Sequence, residues 1–270
     1  MKKILLATTI LGLSASYAAA DISWSASAAA GMASELGGDF LSYSSMKVGV
    51  KGSAETDGGI TFSGSMDMTR GTKFGTGGDL GDGFESKSGS FGMPTIAIGG
   101  AFGTISFSDD NFDFFDDSHD GGDVKYVGTF GAITAGLVSD VDTGDYSIQL
   151  GYSADAIAVS IDTDSHDVYN ASAAYTMGAI TAKVSTSESE VAVLKLSYSA
   201  DAISGSVEVD SADNYALTVG YTANGLTIGV ETDSAEYTKV TGSYDLGGGL
   251  SIVAGADSAE SAYVGAAMKF

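Results

Sequence analysis

The fold is decided by residues 145–162, DYSIQLGYSADAIAVSID. In residues 148–152 and again in residues 157–161, every second side chain is aliphatic or aromatic, and those between are small or polar. This alternation predicts two β-strands, because successive side chains of a strand point to opposite faces. The tetrapeptide SADA between them predicts a tight turn. The stretch is therefore predicted to be a β-hairpin with one apolar and one polar face.

The hairpin repeats along the second half of the chain. Its period of 23 residues is marked by tyrosines that each precede a turn and an aliphatic ladder: Tyr152, Tyr175, Tyr198, Tyr221 and Tyr244. A fixed period of this size indicates one repeated supersecondary unit. We therefore predict an all-β chain of consecutive antiparallel hairpins.

The first twenty residues have the organisation of a cleaved secretory signal. Lys2 and Lys3 precede an apolar run that reaches about Leu13, and the small residues 18–20 provide an Ala-x-Ala cleavage site. We predict that residues 1–20 are removed and that residues 21–270 form a single barrel domain. A buried N-terminal helix is the alternative interpretation of the same run.

The composition points to a sheet that must protect its own edges. The chain is 44% hydrophobic and 17% charged, with 38 Gly, one Pro and no Cys. Without cysteines a secreted chain has no disulfides, so its stability must come from packing or from a closed hydrogen-bonded sheet. After the signal, no stretch approaches the ~18 continuous apolar residues of a membrane helix. A long antiparallel sheet with exposed edges would aggregate, which favours closure.

The first half of the chain is predicted to contain strands of the same kind. Residues 22–32, residues 43–54 and a strand from residue 60 alternate in the same way, whereas residues 69–91 are predicted as a long Gly/Asp-rich loop. Pro94 opens the next strand, where a missing amide is tolerated. We count 18 strands, with short turns at one end of the sheet and longer loops at the other.

The apolar faces decide what kind of barrel this is. A water-soluble sandwich would cover them with a second sheet, and the sequence predicts no second layer. A barrel of this width is too wide to be filled by side chains, so the apolar faces are predicted to point outward, into lipid. Closure satisfies every backbone donor and acceptor, as hydrocarbon requires. The predicted class is a transmembrane antiparallel up-and-down β-barrel.

Lysines and tyrosines are consistent with this orientation. Alternation places seven lysines on the polar, lumenal face: Lys47, Lys51, Lys125, Lys183, Lys195, Lys239 and Lys269. A lysine on the lipid face at mid-bilayer would cost roughly 2–4 kcal/mol. The periodic tyrosines lie at the short-turn end of the aliphatic face, where an interfacial aromatic girdle belongs. Cross-strand packing alone is the other interpretation of these rings.

Residues 242–257, residues 268–270 and residues 101–105 form three motifs that resemble the general porins of alphaproteobacteria, of the type found in Rhodobacter outer membranes. Residues 242–257, GSYDLGGGLSIVAGAD, are similar to the penultimate hairpin of that family. The terminal residues 268–270, MKF, resemble the terminal-Phe signature, so Phe270 would be read by the barrel-assembly machinery. Residues 101–105, AFGTI, resemble the turn before the pore-constricting third loop.

The resemblance implies a water-filled, homotrimeric channel in the Gram-negative outer membrane, surrounded by its lipid and lipopolysaccharide. Small hydrophilic solutes and ions would pass through it by diffusion. The family usually has 16 strands. The strand count from the sequence and the resemblance together therefore predict a barrel of 16–18 strands. The third loop would fold into the barrel, although the loops of this chain are shorter than is usual in the family.

An acidic stretch at about residues 108–123 is the predicted constriction loop. Its carboxylates are Asp109, Asp110, Asp113, Asp116, Asp117, Asp120 and Asp123. Phe112, Phe114 and Phe115 are predicted to anchor it to the wall, and facing lysines, chiefly Lys47, Lys51 and Lys125, would create a transverse field across the pore. The net charge of −23 predicts a preference for cations. A solvated loop outside the barrel is the alternative, and Ca²⁺ binding by the clustered carboxylates is a further expectation.

Two other functions fit parts of the sequence. A substrate-selective channel would have the same architecture with lumenal aromatic side chains, yet only Tyr43 and Tyr263 are predicted to face the lumen. A secreted, calcium-binding surface repeat protein would also be acidic and Gly-rich, but such repeats are usually nonapeptides. The sequence contains no nucleophile–base–acid arrangement and no basic patch for nucleic acid, so neither an enzyme nor a nucleic-acid-binding protein is expected.

Overall fold

The computed structural model describes residues 21–75, 83–114, 121–189 and 191–270. The predicted signal, residues 1–20, lies outside the described residues. Regular secondary structure in the described residues is β-strand joined by turns. None of the described residues belong to a helix that is long and apolar enough to cross a membrane.

The described chain forms consecutive strands of six to fifteen residues. In chain order they are β1 (Asp21–Ser34), β2 (Leu41–Glu55), β3 (Thr61–Phe74), β4 (Phe84–Phe91), β5 (Thr95–Gly100), β6 (Gly103–Phe112), β7 (Gly122–Phe130), β8 (Ile133–Ser139), β9 (Tyr146–Ala154), β10 (Ile157–Asp164), β11 (Tyr169–Met177), β12 (Ile180–Ser187), β13 (Ala192–Ala200), β14 (Ile203–Asp210), β15 (Tyr215–Ala223), β16 (Leu226–Asp233), β17 (Thr238–Gly247), β18 (Leu250–Asp257) and β19 (Ala262–Lys269).

These strands close into a single antiparallel barrel. Each strand from β6 to β18 pairs with both of its neighbours in the chain, and β1 pairs with both β2 and β19 to close the sheet. Strands β4 and β5 both pair with β3, β4 along its second half and β5 along residues 61–65. They are therefore two halves of one barrel position, interrupted at residues 92–94. The barrel has 18 strand positions, which confirms the strand count made from the sequence.

The prediction of a loop over residues 69–91 is wrong in part. Strand β3 continues to Phe74 and β4 begins at Phe84, so residues 69–74 and 84–91 belong to strands. The prediction failed because residues 69–74 and 84–91 carry no clean apolar face. Their backbone groups nevertheless continue the ladder, with Ser44 of β2 opposite Thr72 of β3. Once neighbouring strands are in place, hydrogen bonding extends a strand without help from apolar side chains.

The apolar face of each repeat points outward, as predicted. Leu150, Val207, Val219 and Ile228 are 39–49% exposed, and the girdle tyrosines are 43–54% exposed. An ordinary core residue would be buried. The short turns, the first described residue Asp21 and the C-terminal Phe270 lie at one end of the barrel. In the two SADA turns, Asp155 and Asp201 have φ of 49°, the left-handed conformation that tight hairpin turns require.

Four buried residues, three of them aromatic, form a small cluster on the inner wall near the loop end. Tyr43, Phe74 and Tyr263 are only 1–4% exposed. The ring centroid of Phe74 lies 6.3 Å from that of Tyr43 and 6.2 Å from that of Tyr263. Phe84 completes the cluster at 4.9 Å from Phe74. The cluster ties β2, β3, β4 and β19 together at the point where the barrel closes.

Candidate pore lining and constriction

The inner wall carries the lysines predicted for it. The register places Lys47, Lys51, Lys125, Lys183, Lys195, Lys239 and Lys269 on the face opposite the exposed aliphatic side chains. On β19, for example, Val264 is exposed to the outside and Lys269 pairs with Ser27 on the inner face. Strand alternation thus separates the cationic side chains from the lipid-facing wall.

Several of these lysines pair with carboxylates on neighbouring strands. Lys47 Nζ lies 2.7 Å from Asp67 Oδ2, Lys195 Nζ lies 3.1 Å from Glu208 Oε2, and Lys239 Nζ lies 3.2 Å from Glu231 Oε2. Most of these side chains are substantially exposed, so each pair stabilises the barrel by about 0–1 kcal/mol at most. Within each pair the two charges offset one another, so these pairs add little net charge to the inner wall.

The acidic carboxylate partners were missed by the sequence analysis, which named only the lysines. Glu208 and Glu231 stand directly opposite Lys195 and Lys239, and Asp67 stands two residues along β3 from Thr69, the residue opposite Lys47. The same period-2 count that placed the lysines would have placed these carboxylates as well. Lys51, Lys183 and Lys269 make no ion pair within the described residues.

A polar recess of about 510 Å³ opens on the inner wall beside Lys47 and Lys51. It is also lined by Asp67, by Thr95 of β5 and by Asn111 of β6. The recess forms where the wall is interrupted at residues 92–94. It brings the two lysines expected to face the constriction next to the start of the acidic stretch.

The acidic stretch begins with an arm, residues 108–114, that leaves the wall. Backbone pairing between β6 and β7 stops after Phe107 and resumes only at the pair formed by Phe112 and Gly122. Ser108 Oγ donates a hydrogen bond to the Pro94 carbonyl at 3.2 Å, and Asn111 Nδ2 donates to Thr95 Oγ1 at 3.4 Å. The arm is therefore braced against the interruption between β4 and β5.

The far end of the arm packs on the inner wall through Phe114. Lys125 Nζ lies 4.5 Å from the centroid of the Phe114 ring, a cation–π geometry. A Cβ added at Gly136 would come within 2.5 Å of Phe114 Cζ, so the ring lies directly on that glycine. Gly136 is on the lumenal face, because its neighbour Leu137 is exposed on the outer wall. The described end of the arm thus lies inside the barrel.

Replacing Phe114 with alanine is expected to free the end of the arm and to raise single-channel current noise. The loss of the ring contact with Lys125 should weaken the anchor by about 0.5–2 kcal/mol. Phe130→Ala, which removes a ring exposed on the outer wall, is the matched control and should leave the noise unchanged. Identical noise in wild type and the Phe114 variant would show that this ring does not anchor the arm.

Carboxylates meet at the base of the arm. Oxygens of Asp109, Asp110 and Asp123 all lie within 4.8 Å of one another. Asp123 accepts hydrogen bonds from the Asp110 N–H at 3.4 Å and from the Val141 N–H at 2.9 Å. Asp113 lies in the arm, and Asp116, Asp117 and Asp120 lie outside the described residues. The cluster concentrates negative charge at the arm, and Ca²⁺ binding there stays a prediction.

Carboxylates also stabilise the loop between β8 and β9. The Thr143 N–H donates to Asp140 Oδ1 at 3.1 Å and the Asp142 N–H donates at 2.7 Å, and these bonds lower the pKa of Asp140. Hydrogen bonds from Thr143 and from Ser165 likewise lower the pKa of Asp145. Both groups therefore remain ionised below the usual carboxyl range. The loop keeps its negative charge at neutral pH.

The girdle and the C-terminus occupy the short-turn end. The tyrosines of the 23-residue repeat stand two or three residues before the last residue of the strands that enter the short turns, with their rings on the outer wall. Phe270 is 66% exposed, and its N–H donates to the Ala26 carbonyl at 2.8 Å. The last residue is therefore still attached to the ladder formed with β1.

Comparison with known proteins shows the class of fold. No protein-family model and no curated protein sequence matches the chain. Among solved structures, a variant of the Rh. blastica porin is 14% identical, with a TM-score of 0.59 over 93% of this chain and 100% of that one. OmpF of Salmonella typhi, in complex with daunomycin, is 10% identical, with a TM-score of 0.53 over 92% and 97%. The Vibrio cholerae outer-membrane protein OmpT, in its trimer form, is 11% identical, with a TM-score of 0.51 over 93% and 99%.

These likenesses define the chain as a β-barrel with the porin fold. They extend over almost the whole of the chain and over the whole of the Rh. blastica porin. The resemblance found in residues 242–257 and at the C-terminus is thus matched by the three-dimensional architecture. At these identities the comparison shows the fold alone. The evidence on function is the chemistry of the side chains on the inner and outer walls of the barrel.

Proposed function

We propose that this protein is a general porin, a water-filled channel for passive diffusion of small hydrophilic solutes and ions across the Gram-negative outer membrane. The observation that carries the proposal is the contrast between the two faces of one closed sheet. The outer wall of the repeat strands exposes aliphatic side chains, and the inner wall carries ion pairs and hydroxyl groups. Only a barrel in lipid makes that arrangement favourable.

The expected location and assembly follow from the chain ends and from the resemblance. The signal predicted in residues 1–20 would direct export, and Phe270 would be recognised by the barrel-assembly machinery. The mature barrel would contact lipid and lipopolysaccharide. A homotrimer stays a prediction that rests on the resemblance to porins.

Selection in this channel would depend on width and on electrostatic field. The arm that bears the carboxylates packs its Phe114 ring under Lys125, and Lys47 and Lys51 line the recess beside its base at Asn111. The net charge of −23 raises the local concentration of cations, and removal of Lys2 and Lys3 with the signal makes the barrel more negative still. A preference for cations is the proposed result.

A substrate-selective channel is less well supported. Such a channel needs aromatic rings open to the lumen, along which a solute can slide. The lumenal tyrosines Tyr43 and Tyr263 are instead packed against Phe74, with 2% and 4% of their surface exposed. Their rings stabilise the wall and are not available to a passing solute.

The proposed function is tested by conductance of the refolded protein in a planar bilayer. We expect large stepwise increases of current, and a reversal potential in a salt gradient that shows cation preference. Steps in groups of three would support the trimer. Well-inserted protein without conductance would contradict an open pore, and anion preference would contradict the proposed field.

The contribution of the arm is tested by converting Asp109, Asp110 and Asp123 to asparagine together. Because these groups form the base of the arm whose end packs on the inner wall at Phe114, we expect the cation-to-anion permeability ratio to fall several-fold. The control converts Asp142, Asp167 and Asp213, which lie in other loops, and removes the same charge. An equal fall in both triple variants would show that total charge, and not the arm, determines selectivity.

A further inference from the structure

The inner wall carries its carboxylates at the loop end. Strands β10, β14 and β16 run from the short turns toward the loops, and each has two acidic residues of the lumenal face within its last three positions. They are Asp162, Asp164, Glu208, Asp210, Glu231 and Asp233. Lys195 and Lys239 offset Glu208 and Glu231, so six carboxylates stand against two lysines. This end of the wall therefore has an excess of negative charge.

The three carboxylates at the base of the arm lie in the same half of the pore. Asp123 is the second residue of β7, which begins at the loop end, and the carboxylate oxygens of the three residues lie within 4.8 Å of one another. The loop between β8 and β9 adds Asp140 and Asp145. Hydrogen bonds from Thr143 lower the pKa of both, so they are charged at neutral pH. The arm and this loop thus increase the negative charge of the loop end.

The short-turn end of the inner wall is lined by hydroxyl groups. In three hairpins a lumenal threonine on each strand flanks the turn, and the two hydroxyl oxygens are 3.0–3.4 Å apart. The pairs are Thr129 and Thr134, Thr176 and Thr181, and Thr222 and Thr227. At the same level of the β13–β14 hairpin, Ser199 stands opposite Ser204. These groups are polar but uncharged, so the wall changes from acidic to neutral along the pore axis.

Few charged side chains lie at the short-turn end. Among the residues that the structure describes, six carboxyl groups lie in or beside the short turns: Asp21, Glu55, Asp57, Asp155, Asp201 and Asp245. Lys51 and Lys269 are on the inner wall in the same half. Six carboxylates and two lysines leave an excess of four negative charges there, whereas the whole sequence has a net charge of −23. Most of the negative charge therefore lies toward the loops.

An axial difference in charge makes the current depend on its direction. At the acidic end cations carry most of the current, whereas the neutral end passes cations and anions alike. When cations are driven from the acidic end to the neutral end, the anions that move the other way are stopped at the acidic end. Salt then accumulates in the pore and its conductance rises. The opposite field removes both ions from the pore, and the conductance falls.

We propose that this channel rectifies ion flow, with a larger current when cations move from the loop end to the short-turn end than in the opposite direction. The proposal rests on the proposed porin function and goes beyond its cation preference. The same charge spread evenly along the pore would favour cations and yet conduct equally in both directions. With the short turns on the periplasmic side, the favoured direction is the entry of cations.

Rectification is tested on single refolded channels in a planar bilayer with the same salt on both sides. The currents at equal voltages of opposite sign give a rectification ratio. We expect a ratio of about 1.5 or more at ~0.1 M salt, where the Debye length is about 10 Å, and a ratio near one at ~1 M, where it is about 3 Å. Equal currents at low salt would overturn the proposal.

The direction is assigned with a single cysteine in a loop. The sequence contains no Cys, so Ala235→Cys, in the loop between β16 and β17, provides a unique thiol. A maleimide-linked polymer too large to cross the pore is added to one chamber, and it changes the current only of channels whose loops face that chamber. A larger current for cations that enter at the short-turn end would contradict the proposed direction.

One triple variant removes charge from the loop end. Asp164, Asp210 and Asp233 are replaced together with asparagine, whose amide oxygen can still accept the backbone hydrogen bonds that these carboxylates accept in the loops. The axial difference in charge becomes smaller. The rectification ratio should therefore fall toward one.

The matched variant removes the same charge from the other end. Asp155, Asp201 and Asp245 are replaced with asparagine, which readily adopts the left-handed conformation that Asp155 and Asp201 have in their turns. The short-turn end becomes more neutral, so the ratio should rise. Ratios that change in the same direction in both variants, or that stay at the wild-type value, would overturn the axial difference as the cause.

The experiment separates the rectifier from the porin on which it rests. Inserted protein without conductance would contradict both. Stepwise, cation-preferring conductance with equal currents in the two directions would leave the porin in place and overturn the rectifier alone.

Discussion

Replacing Val219 with lysine is expected to destabilise the protein in lipid by about 2–4 kcal/mol. Val219 is the fifth of nine residues in β15, is 47% exposed on the outer wall, and stands between Gly205 and Val230. A lysine side chain at position 219 would lie near the bilayer midplane and could not reach water on either side. Urea-induced unfolding in vesicles, followed by migration on gels before and after boiling, measures the change.

The neighbouring position provides the matched control. Thr218 lies on the inner wall between Ser206 and Glu231, so a lysine there meets water and a carboxylate. Thr218→Lys should change stability by less than about 1 kcal/mol. Equal effects of the two lysines would mean that the aliphatic wall does not face hydrocarbon, and the membrane barrel would have to be abandoned.

Replacing Gly265 with alanine is expected to cost about 1–3 kcal/mol or more, because the added methyl group has no room. A Cβ there would overlap Tyr43 Oη and lie 2.5 Å from the Ala30 carbonyl oxygen and 3.1 Å from Gly31 Cα. The ring of Tyr43 crosses β19 at this glycine, at the closure of the barrel. Urea unfolding of the two proteins, compared under one set of conditions, measures the loss.

Two further variants locate the cause of this effect. Gly52→Ala adds a methyl group where nothing lies within 4 Å and should be nearly neutral. Tyr43→Phe removes a buried hydroxyl that has no hydrogen-bond partner among the described residues, so it should leave stability unchanged or raise it. Combined with Gly265→Ala, it should restore part of the loss. No restoration would place the clash at the Ala30 backbone instead.

The sequence analysis succeeded where a local pattern reports a local property. Alternation around Tyr152 and its repeats placed the strands, the outer face and the inner lysines, because side-chain direction in a strand depends only on position parity. The same reasoning failed at residues 69–91, where the strands have no apolar face. It also missed Arg70 and Lys73, which share a face although they stand three residues apart. The left-handed conformation of Gly71 reverses the alternation of faces between them, and a rule based on alternation alone cannot predict that reversal.

The candidate constriction was predictable in kind but not in geometry. The acidic residues 108–123 break the alternation, so a loop was expected. Its contacts depend on strands that lie apart in the chain. Phe114 packs on Gly136 beside Lys125, and Ser108 and Asn111 form hydrogen bonds at the interruption at residues 92–94. A glycine on one strand is a packing surface only when another segment is brought over it.

By itself the sequence determined an all-β chain of 18 strand positions whose apolar face points to lipid, because period-2 alternation and the 23-residue repeat are properties of each segment alone. The tertiary structure decided how the barrel closes and which residues meet on its inner wall. The pairing of β1 with β19 and the packing of the arm under Lys125 both join residues from distant strands. Such contacts are set by register and closure, which arise only when the whole sheet is assembled.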